Sequence, residues 1–320
     1  MMKLALSDMP SEWMSCPVCG GDSFTELTRA DRYGMGVPTC QCDGCGLVMT
    51  NPVPTEEALS EFYRSHYRAY YRKVRIPTPE HIRAYGLEQR ATHTAGYLQG
   101  AGLLQGISSV LDVGCAEGSL LHAIGQRAPA LSLSGMEPNP EFAEYARRTS
   151  QAQIFPSLEA FESLGLRVDL ITVNHVLEHV RQPSPFLRRL AGLLTGAGRI
   201  YVDVPDVTRY RNIDDLHIAH LYHFSKVSLR NTGSVAGLVC ERSEAHEPYR
   251  HPFSIRAVFA PAVVSREVEV DSDTALAKRR IIRVARLAPL QRFRRTPVGA
   301  AVMRIPAAGL RYVRKLAASR

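Results

Sequence analysis

Five of the seven cysteines lie within the first 52 residues, and four of these form two C-x-x-C-G units. The four are Cys16, Cys19, Cys42 and Cys45. A C-x-x-C turn lets two thiolates converge on one metal ion, and the glycine that follows permits the tight backbone. The spacing therefore predicts a closed, tetrahedral Zn²⁺ site of the structural kind. A redox C-x-x-C motif and scattered free thiols are the alternatives.

Cys40 stands close to the second unit, but only Cys42 is in register with Cys45. A module of about fifty residues with few apolar anchors buries little core. We therefore expect bound metal to supply much of its folding free energy.

A glycine-rich turn follows an apolar run at residues 110–118 (VLDVGCAEG). Tight backbone at Gly114 and the missing side chain at Gly118 let the chain approach a ligand, as in doubly wound nucleotide sites. Dehydrogenases use the same device, so the turn alone is weak evidence. Here, however, Asp112 lies inside the strand ahead of the turn, and Ala116 occupies the centre of a Gly-x-x-x-Gly spacing.

The next apolar run ends in Gly-Met-Glu137-Pro138. At this position the carboxylate of Glu137 can accept hydrogen bonds from both hydroxyl groups of a ribose. Together with Asp112 and the Gly-x-x-x-Gly spacing, this resembles the ligand turn of methyltransferases, which bind S-adenosylmethionine (SAM), more than that of dinucleotide-binding enzymes.

Histidines are concentrated in two places. The first, His175-Val-Leu-Glu178-His179, matches the H-x-x-E-H pattern of a family of zinc peptidases. That chemistry needs a helix with both histidines on one face, whereas this run begins where the apolar strand VDLITVN ends. We therefore set the peptidase interpretation aside.

The second group, His217, His220 and His223, recurs every third residue. No carboxylate or thiolate is close to His220 and His223 in the sequence, so exposed loop histidines are expected more than a second metal site. A histidine of pKa near 6.5 can take a proton from a hydroxyl group or an activated carbon.

Apolar runs alternate with amphipathic stretches through residues 107–262, which is typical of βαβ units and a parallel sheet. The predicted strands are SVLDVG, LSLSGME, AQIF, VDLITVN and RIYVDVP, followed by the helix VSLRNTGSVAG and the strands LVCERSEA and FSIRAVFA. Four segments result: a zinc-binding module (1–52), a helical linker or substrate lid (53–106), the α/β domain (107–262) and a basic helical tail (263–320).

The charge of the chain is unevenly spread. Residues 276–320 hold thirteen Lys and Arg and no Asp or Glu, so the remainder has a net charge of −5 within the total of +8. The sequence contains no transmembrane run and no recognisable signal peptide, so we expect a cytoplasmic protein with reduced thiols.

The runs LDVGCAEG, GMEPNPEFAEYAR, DLITVNHVLEHV, GRIYVDVPD and HLYHFSKVSL resemble class I SAM-dependent methyltransferases. With the leading cysteine units and CGLVMTNP, the chain more narrowly resembles bacterial methyltransferases of sugar and surface-polysaccharide pathways, over about residues 14–262. The resemblance implies a seven-stranded doubly wound (Rossmann-like) α/β sheet. It departs from longer deoxysugar C-methyltransferases, in which a second α/β domain replaces the basic tail.

The resemblance also implies roles for residues. The counterparts of Gly114, Cys115, Ala116 and Glu137 hold SAM, and Asn174 and His175 lie beside it. The loop after the fifth strand lies over the methyl group and carries substrate-side histidines. We therefore rank His223 first as the base, then His220, with His179 behind.

Tyr67, Tyr70 and Tyr71 precede the α/β domain, where the family's N-terminal helices close over the substrate. Their rings could contact a sugar or base and their hydroxyls could form hydrogen bonds. Packing of a helix on the sheet explains each of them equally well.

Methyl transfer to a small molecule, a nucleotide-linked or polysaccharide sugar, is the favoured function. RNA methylation is the second, suggested by a zinc module plus a basic tail, but the fourth strand ends in VNHV rather than an Asn-Pro-Pro-Tyr loop. Non-catalytic SAM binding is the third. The interleaved Arg and apolar residues of 276–320 suggest contact with the inner, anionic face of a membrane, with packing on the acidic body as the alternative.

Overall fold

A small β-module begins the chain. The structure, a computed structural model, describes residues 9–62, 76–249, 253–262, 268–270 and 272–294. The strands of the module are β1 (Ser11–Glu12), β2 (Phe24–Thr28), β3 (Thr39–Cys42), β4 (Val48–Thr50) and β5 (Val53–Pro54). β2, β3 and β4 form an antiparallel sheet, and β1 pairs separately with β5.

Three helices follow in the segment predicted to be helical: α1 (Glu56–Glu61), α2 (Pro79–Tyr85) and α3 (Leu87–Gly100). The side chains of Thr55 and Thr78 cap α1 and α2 by accepting backbone N–H groups. Pro79 starts α2 rather than breaking a helix, because its missing N–H is not needed in the first turn. Gly86, with φ +63°, separates α2 from α3.

A seven-stranded sheet forms the centre of the protein. Its strands are β6 (Ser109–Val113), β7 (Ser132–Met136), β8 (Gln153–Phe155), β9 (Val168–Asn174), β10 (Leu194–Pro205), β12 (Leu238–His246) and β13 (Ser254–Pro261). The spatial order is β12-β13-β10-β9-β6-β7-β8. Only β13 runs antiparallel to its neighbours. This order confirms the predicted doubly wound methyltransferase sheet, including its closing hairpin.

The crossover helices are α4 (Ser119–Arg127), α5 (Pro140–Ser150), α6 (Leu158–Glu162), α7 (Pro183–Ala191) and α8 (Lys226–Val235). Successive residues of the strands enter different apolar clusters, as the period of two requires. Val110 packs with α3 and α4, whereas Leu111 packs in the larger cluster with α7 and α8. Both faces of the sheet are therefore covered, which explains why its central strands are almost wholly apolar.

The module and the sheet share one apolar core. Cys16, Leu47 and Met49 belong to the same buried cluster as Val173 of β9. In addition β11 (Tyr222–His223), from the loop after β10, pairs with β4 and becomes the edge strand of the small sheet. The predicted domain boundaries stay a prediction, but β11, which lies in the loop after β10, is part of the module's sheet.

Two helices of the basic tail are described, α9 (Ser272–Arg286) and α10 (Ala288–Arg294). Ala277, Ile281 and Val284 on α9 are buried against the module and the loop after β10. The Thr274 carbonyl accepts a hydrogen bond from Gln41. The apolar face of α9 is therefore used for packing. Within the described ranges no helix is long and apolar enough to cross a membrane.

Candidate functional site

The turn between β6 and α4 lies at the carboxyl edge of the sheet, where Gly114 and Ala116 are partly exposed. Gly114, Ala116 and Gly118 all have positive φ, at +76°, +48° and +82°. A Cβ at Gly114 would lie 2.5 Å from Cγ2 of Val176, and one at Gly118 would lie 2.9 Å from Cα of Ala146. Both glycines are therefore required by conformation and by close packing.

The turn is tied to the end of β7. The backbone N–H groups of Gly114 and Cys115 both donate to the carbonyl of Met136, at 2.8 and 3.0 Å. The Cys115 side chain is buried below the turn, where a Cβ at Gly135 would lie 2.7 Å from its sulfur. Cys115 thus contributes backbone to the site, and its thiol packs in the core.

Glu137 follows β7 directly and lies beside this turn. Its Oε1 accepts the backbone N–H of Asn139 at 2.8 Å. Asn139 in turn caps α5 by accepting the N–H of Phe142, and Pro140 occupies the first turn of that helix. The local sequence E-P-N-P therefore orients the carboxylate, with the exposed Pro138 between the two polar residues.

Asp112 lies at the bottom of the same crevice. It is buried and accepts the hydroxyl of Thr172, on the neighbouring strand β9, at 2.6 Å. Burial raises the pKa of Asp112 to about 7, which the hydrogen bond from Thr172 partly opposes.

Asn174 and His175 complete the crevice from the end of β9, as expected from the sequence. The crevice is lined by the turn, by α3 and by the strand ends, through Arg90, Thr94, Asp112, Gly114, Cys115, Ala116, Glu117, Asn174, His175 and Asp203. Asp203 was not singled out from the sequence. The sequence pattern that could have indicated it is the one that indicated Asp112: an acidic residue near the end of an apolar parallel strand.

Asp203 belongs to a buried polar group. Its Oδ2 accepts from His246 at 2.9 Å and from the hydroxyl of Tyr201 at 3.3 Å. His175 lies between two carboxylates, with Nδ1 3.3 Å from Glu178 Oε1 and Nε2 3.8 Å from Asp203 Oδ1. Burial alone would lower the pKa of His175, but the contacts with Glu178 and Asp203 outweigh it and raise the pKa.

The loop histidines are not exposed, contrary to the expectation from the sequence. His217, His220 and His223 are buried, and the His217 and His220 rings lie 3.9 Å apart between centroids. Chain folding also brings a carboxylate close to His220, which the sequence did not suggest. Glu178, His179 and His220 have ligand atoms within 4.8 Å of one another.

His223 lies deepest in this group, 1% exposed, with Nδ1 3.0 Å from the hydroxyl of Tyr210. Burial lowers the pKa of His223 to about 3, so the imidazole is neutral at pH 7. Burial and the neighbouring histidines likewise lower the pKa of His220. His179 is the most open of the three candidate bases, with 21% of its side chain exposed.

The histidine group and the crevice are adjacent. Glu178 Oε1 lies 3.3 Å from Nδ1 of His175, which lines the crevice, and 3.9 Å from Nε2 of His179. A small molecule bound against His179 would therefore be close to a ligand held beside His175.

The four predicted cysteine ligands converge in the module. The Sγ atoms of Cys16 and Cys45 are 3.4 Å apart, as are those of Cys19 and Cys42, and all four lie within 4.8 Å. The glycines of both units have positive φ. Cys40 instead donates its thiol to the carbonyl of Asn51 at 3.3 Å, which agrees with its exclusion from the set.

A cavity of about 320 Å³, larger than the crevice described above, lies at the opposite, amino edge of the sheet. Its charged side chains are engaged: Arg199 bonds Glu241 at 2.6 Å, and Asp169 accepts from Ser109 and Thr195. The cavity lacks the glycine turn of the crevice and its charged groups are paired with one another or with hydroxyl groups, so we place the candidate site at the carboxyl edge. Tyr67, Tyr70 and Tyr71 lie outside the described residues.

A family described as "Methyltransferase domain" matches residues 67–243, more than half of the chain. The protein therefore belongs to this family of methyltransferase domains. It is also similar to trans-aconitate 2-methyltransferase of Methylobacterium radiotolerans, with 30% identity over 120 residues. That match covers 37% of this chain and 46% of the relative, so it spans less than half of the relative's length.

Solved structures of methyltransferases are also similar. The 1,6-didemethyltoxoflavin-N1-methyltransferase of Burkholderia thailandensis has 17% identity and a TM-score of 0.49, over 68% of this chain and 96% of that chain. Mitomycin 7-O-methyltransferase has 19% identity and a TM-score of 0.48, over 62% and 60%. Magnesium protoporphyrin IX methyltransferase of Synechocystis, with bound SAM, has 16% identity and a TM-score of 0.45, over 63% and 94%.

Proposed function

We propose that this protein transfers a methyl group from SAM to a small-molecule acceptor, specifically to an oxygen or carbon atom of a nucleotide-linked or polysaccharide sugar. The observation that carries the methyl-transfer proposal is the pairing of an exposed glycine turn with Glu137, which is held in place by the N–H of Asn139. A carboxylate in that position can accept both hydroxyl groups of an adenosyl ribose.

The crevice fits such a ligand residue by residue. The backbone of Gly114, Cys115 and Ala116, which line the crevice, would contact it, and Gly118 would let the turn pack closely on Ala146. Glu137 and Pro138 would hold the ribose end. Asp112, Asn174 and His175 would line the opposite wall at the ends of β6 and β9.

The sulfonium of SAM supplies the driving force for methyl transfer, so the protein has to align the acceptor and remove one proton. His223 is our first candidate for the base, followed by His220 and His179. The His223 imidazole is unprotonated at pH 7, and the burial that lowers its pKa to about 3 also makes it a weak base. His223 is buried, and its ring centroid lies 6.2 Å from that of His220.

The sugar acceptor is supported by the sequence resemblance, through the cysteine units and the run CGLVMTNP. Tyr67, Tyr70 and Tyr71 are proposed to contact it. RNA is the less favoured acceptor, because the body outside residues 276–320 has a net charge of −5 and RNA-binding surfaces are basic.

The four cysteines hold a structural Zn²⁺ ion in this proposal. Sulfur atoms around one zinc ion at about 2.3 Å lie roughly 3.8 Å apart in tetrahedral geometry, and the observed pairs at 3.4 Å need only small shifts. With four protein ligands no position is open, so the ion stabilises the module and takes no part in methyl transfer.

A cytoplasmic protein that touches the inner face of the membrane would suit lipid-linked glycan acceptors. The exposed side chains of Lys278, Arg279, Arg283 and Arg286 on α9 support contact with an anionic surface. Since the apolar face of α9 is buried, this contact would be electrostatic within α9.

Calorimetry with S-adenosylhomocysteine tests the central claim. We expect the full-length protein to bind it, and Glu137→Ala to weaken binding at least about tenfold through lost charge-assisted hydrogen bonds. Glu144→Ala, on the surface of α5, is the matched control and should bind like the parent. Absence of binding to the zinc-loaded parent would refute the proposed function.

A further inference from the structure

Glu178, His179 and His220 form a group of potential metal ligands outside the cysteine module. The three ligand atoms lie within 4.8 Å of one another. Ligands at about 2 Å from a single ion are at most about 4 Å apart, so small side-chain rotations would bring all three into contact with an ion. Two segments supply the group: the 3-10 turn Leu177–His179 after β9, and the loop before β11.

Both imidazoles are held in one tautomer. Nδ1 of His179 bonds the carbonyl of Ala219 at 2.6 Å, and Nδ1 of His220 bonds the carbonyl of Asp215 at 3.0 Å. A carbonyl oxygen can only accept, so each Nδ1 is protonated and each Nε2 keeps its lone pair. A backbone carbonyl behind the protonated nitrogen is the usual support for a metal-binding histidine.

The carboxylate of Glu178 is only partly satisfied. Glu178 is 1% exposed, and its Oε2 has no hydrogen-bond partner among the described residues. Its Oε1 faces His175 and His179. A buried carboxylate with an unpaired oxygen is costly unless a cation or a donor meets it.

The turn that holds Glu178 is fixed to the histidine loop. The backbone carbonyl of Glu178 accepts the N–H of Leu221 at 2.8 Å, directly after His220. The distance between the two halves of the group is thus set by a backbone hydrogen bond rather than by mobile side chains.

We propose that Glu178, His179 and His220 bind a divalent transition-metal ion of the zinc type, separate from the ion of the four cysteines. Two imidazoles and one carboxylate are a ligand set that such ions accept, and three protein ligands leave a coordination position open. His217 and His223 adjoin the group, with ring centroids 3.9 and 6.2 Å from that of His220.

The role of this ion rests on the proposed function, but its binding does not. An ion at this position would act as a Lewis acid beside the acceptor and favour loss of a proton from an acceptor hydroxyl. With the lone pairs of His179 and His220 on the metal, His223 would be the histidine left to take a proton.

Co²⁺ uptake by full-length protein that already carries zinc in the cysteine module tests the proposal. We expect one further equivalent of Co²⁺ to bind, with visible absorption but without the near-ultraviolet bands of cobalt–thiolate bonds. Glu178→Gln and His179→Asn should each weaken that uptake by at least about 100-fold, since removing even a supporting group costs 10–100-fold.

Glu144→Gln and His122→Asn, both on exposed positions of helices, are the matched controls and should bind Co²⁺ like the parent. Zinc content and thermal unfolding of each variant report whether it is folded. The proposal is overturned if the parent takes up no second equivalent, or if uptake by Glu178→Gln equals that of Glu144→Gln. Normal uptake together with absent methyl transfer would leave this site intact and remove the proposed function instead.

Discussion

The cysteine module and the crevice at the carboxyl edge of the sheet differ in which part of the chain would meet a ligand. In the module four thiolates converge, and the backbone turns tightly beneath them. In the crevice the backbone itself faces the ligand, and the Cys115 thiol is turned into the core. The module therefore depends on side-chain chemistry, whereas the crevice depends on the absence of side chains at Gly114 and Gly118.

This difference predicts that substitutions in the module and in the crevice have different consequences. Loss of one thiolate removes a metal ligand and with it the folding free energy of a small module. A side chain added at Gly114 or Gly118 would meet Val176 or Ala146, so it disturbs the packing of the turn as well as the crevice. The loop that carries His220 and His223 connects the two, because β11 pairs with β4 of the module.

The largest effect is expected for Cys42→Ser. The variant should lose the module's zinc ion, whose binding contributes on the order of 10 kcal/mol to folding in comparable sites. Expression and metal content by mass spectrometry measure this. Cys40→Ser, two residues away but not in the cluster, should keep its metal. A soluble, folded and metal-free Cys42→Ser protein would contradict a structural role for the ion.

His223→Ala tests the loop that joins the two regions. We expect turnover to fall by roughly 10²–10⁴-fold, as for loss of a general base, with nearly unchanged affinity for S-adenosylhomocysteine. Tyr210→Phe removes only the hydroxyl group near Nδ1 of His223. It should lower turnover less than His223→Ala does, because the imidazole itself remains. If turnover of a folded His223→Ala variant is normal, another group takes the proton.

Gly118→Ala tests the crevice. The added Cβ would lie 2.9 Å from Ala146 Cα at a φ of +82°. We expect unfolding free energy to fall by about 2–4 kcal/mol, from strain and overpacking together, with weaker SAM binding. Gly165→Ala is the control, since its φ is +64° but no atom lies within 4 Å. Gly165→Ala should lower the unfolding free energy by only about 1–2 kcal/mol. Equal urea unfolding curves for both variants would rule out close packing at Gly118.

The smallest effect is expected on the exposed face of α9. The opposite, apolar face of this helix packs on the module. A single Arg283→Gln change should weaken binding to anionic vesicles by about 1 kcal/mol, roughly fivefold. Binding should also fall as salt is added. Sedimentation with anionic and with neutral vesicles measures both. No binding of the parent protein to anionic vesicles at low salt would end the membrane proposal.

Local patterns in the sequence were sufficient for much of the fold and of the crevice. Strand and helix positions follow from the alternation of apolar runs, whereas the seven-stranded sheet with its closing hairpin was implied by the family resemblance and agrees with the structure. The convergence of Cys16, Cys19, Cys42 and Cys45 was also predicted, whereas the pairing of Gly114 with Glu137 around a ligand stays a prediction. These features depend on spacing within a few residues, or on parallel strands ending at one edge.

Only the tertiary structure decided how the histidines are surrounded. Glu178 and His220 are far apart in the chain, and no periodicity relates them. The backbone bond from Leu221 to Glu178 and the pairing of β11 with β4 bring them together and bury the loop. Burial of that kind depends on which surfaces of the folded chain pack against each other. A sequence pattern reports the preferences of single segments, and for this reason it could not show the group that Glu178, His179 and His220 form.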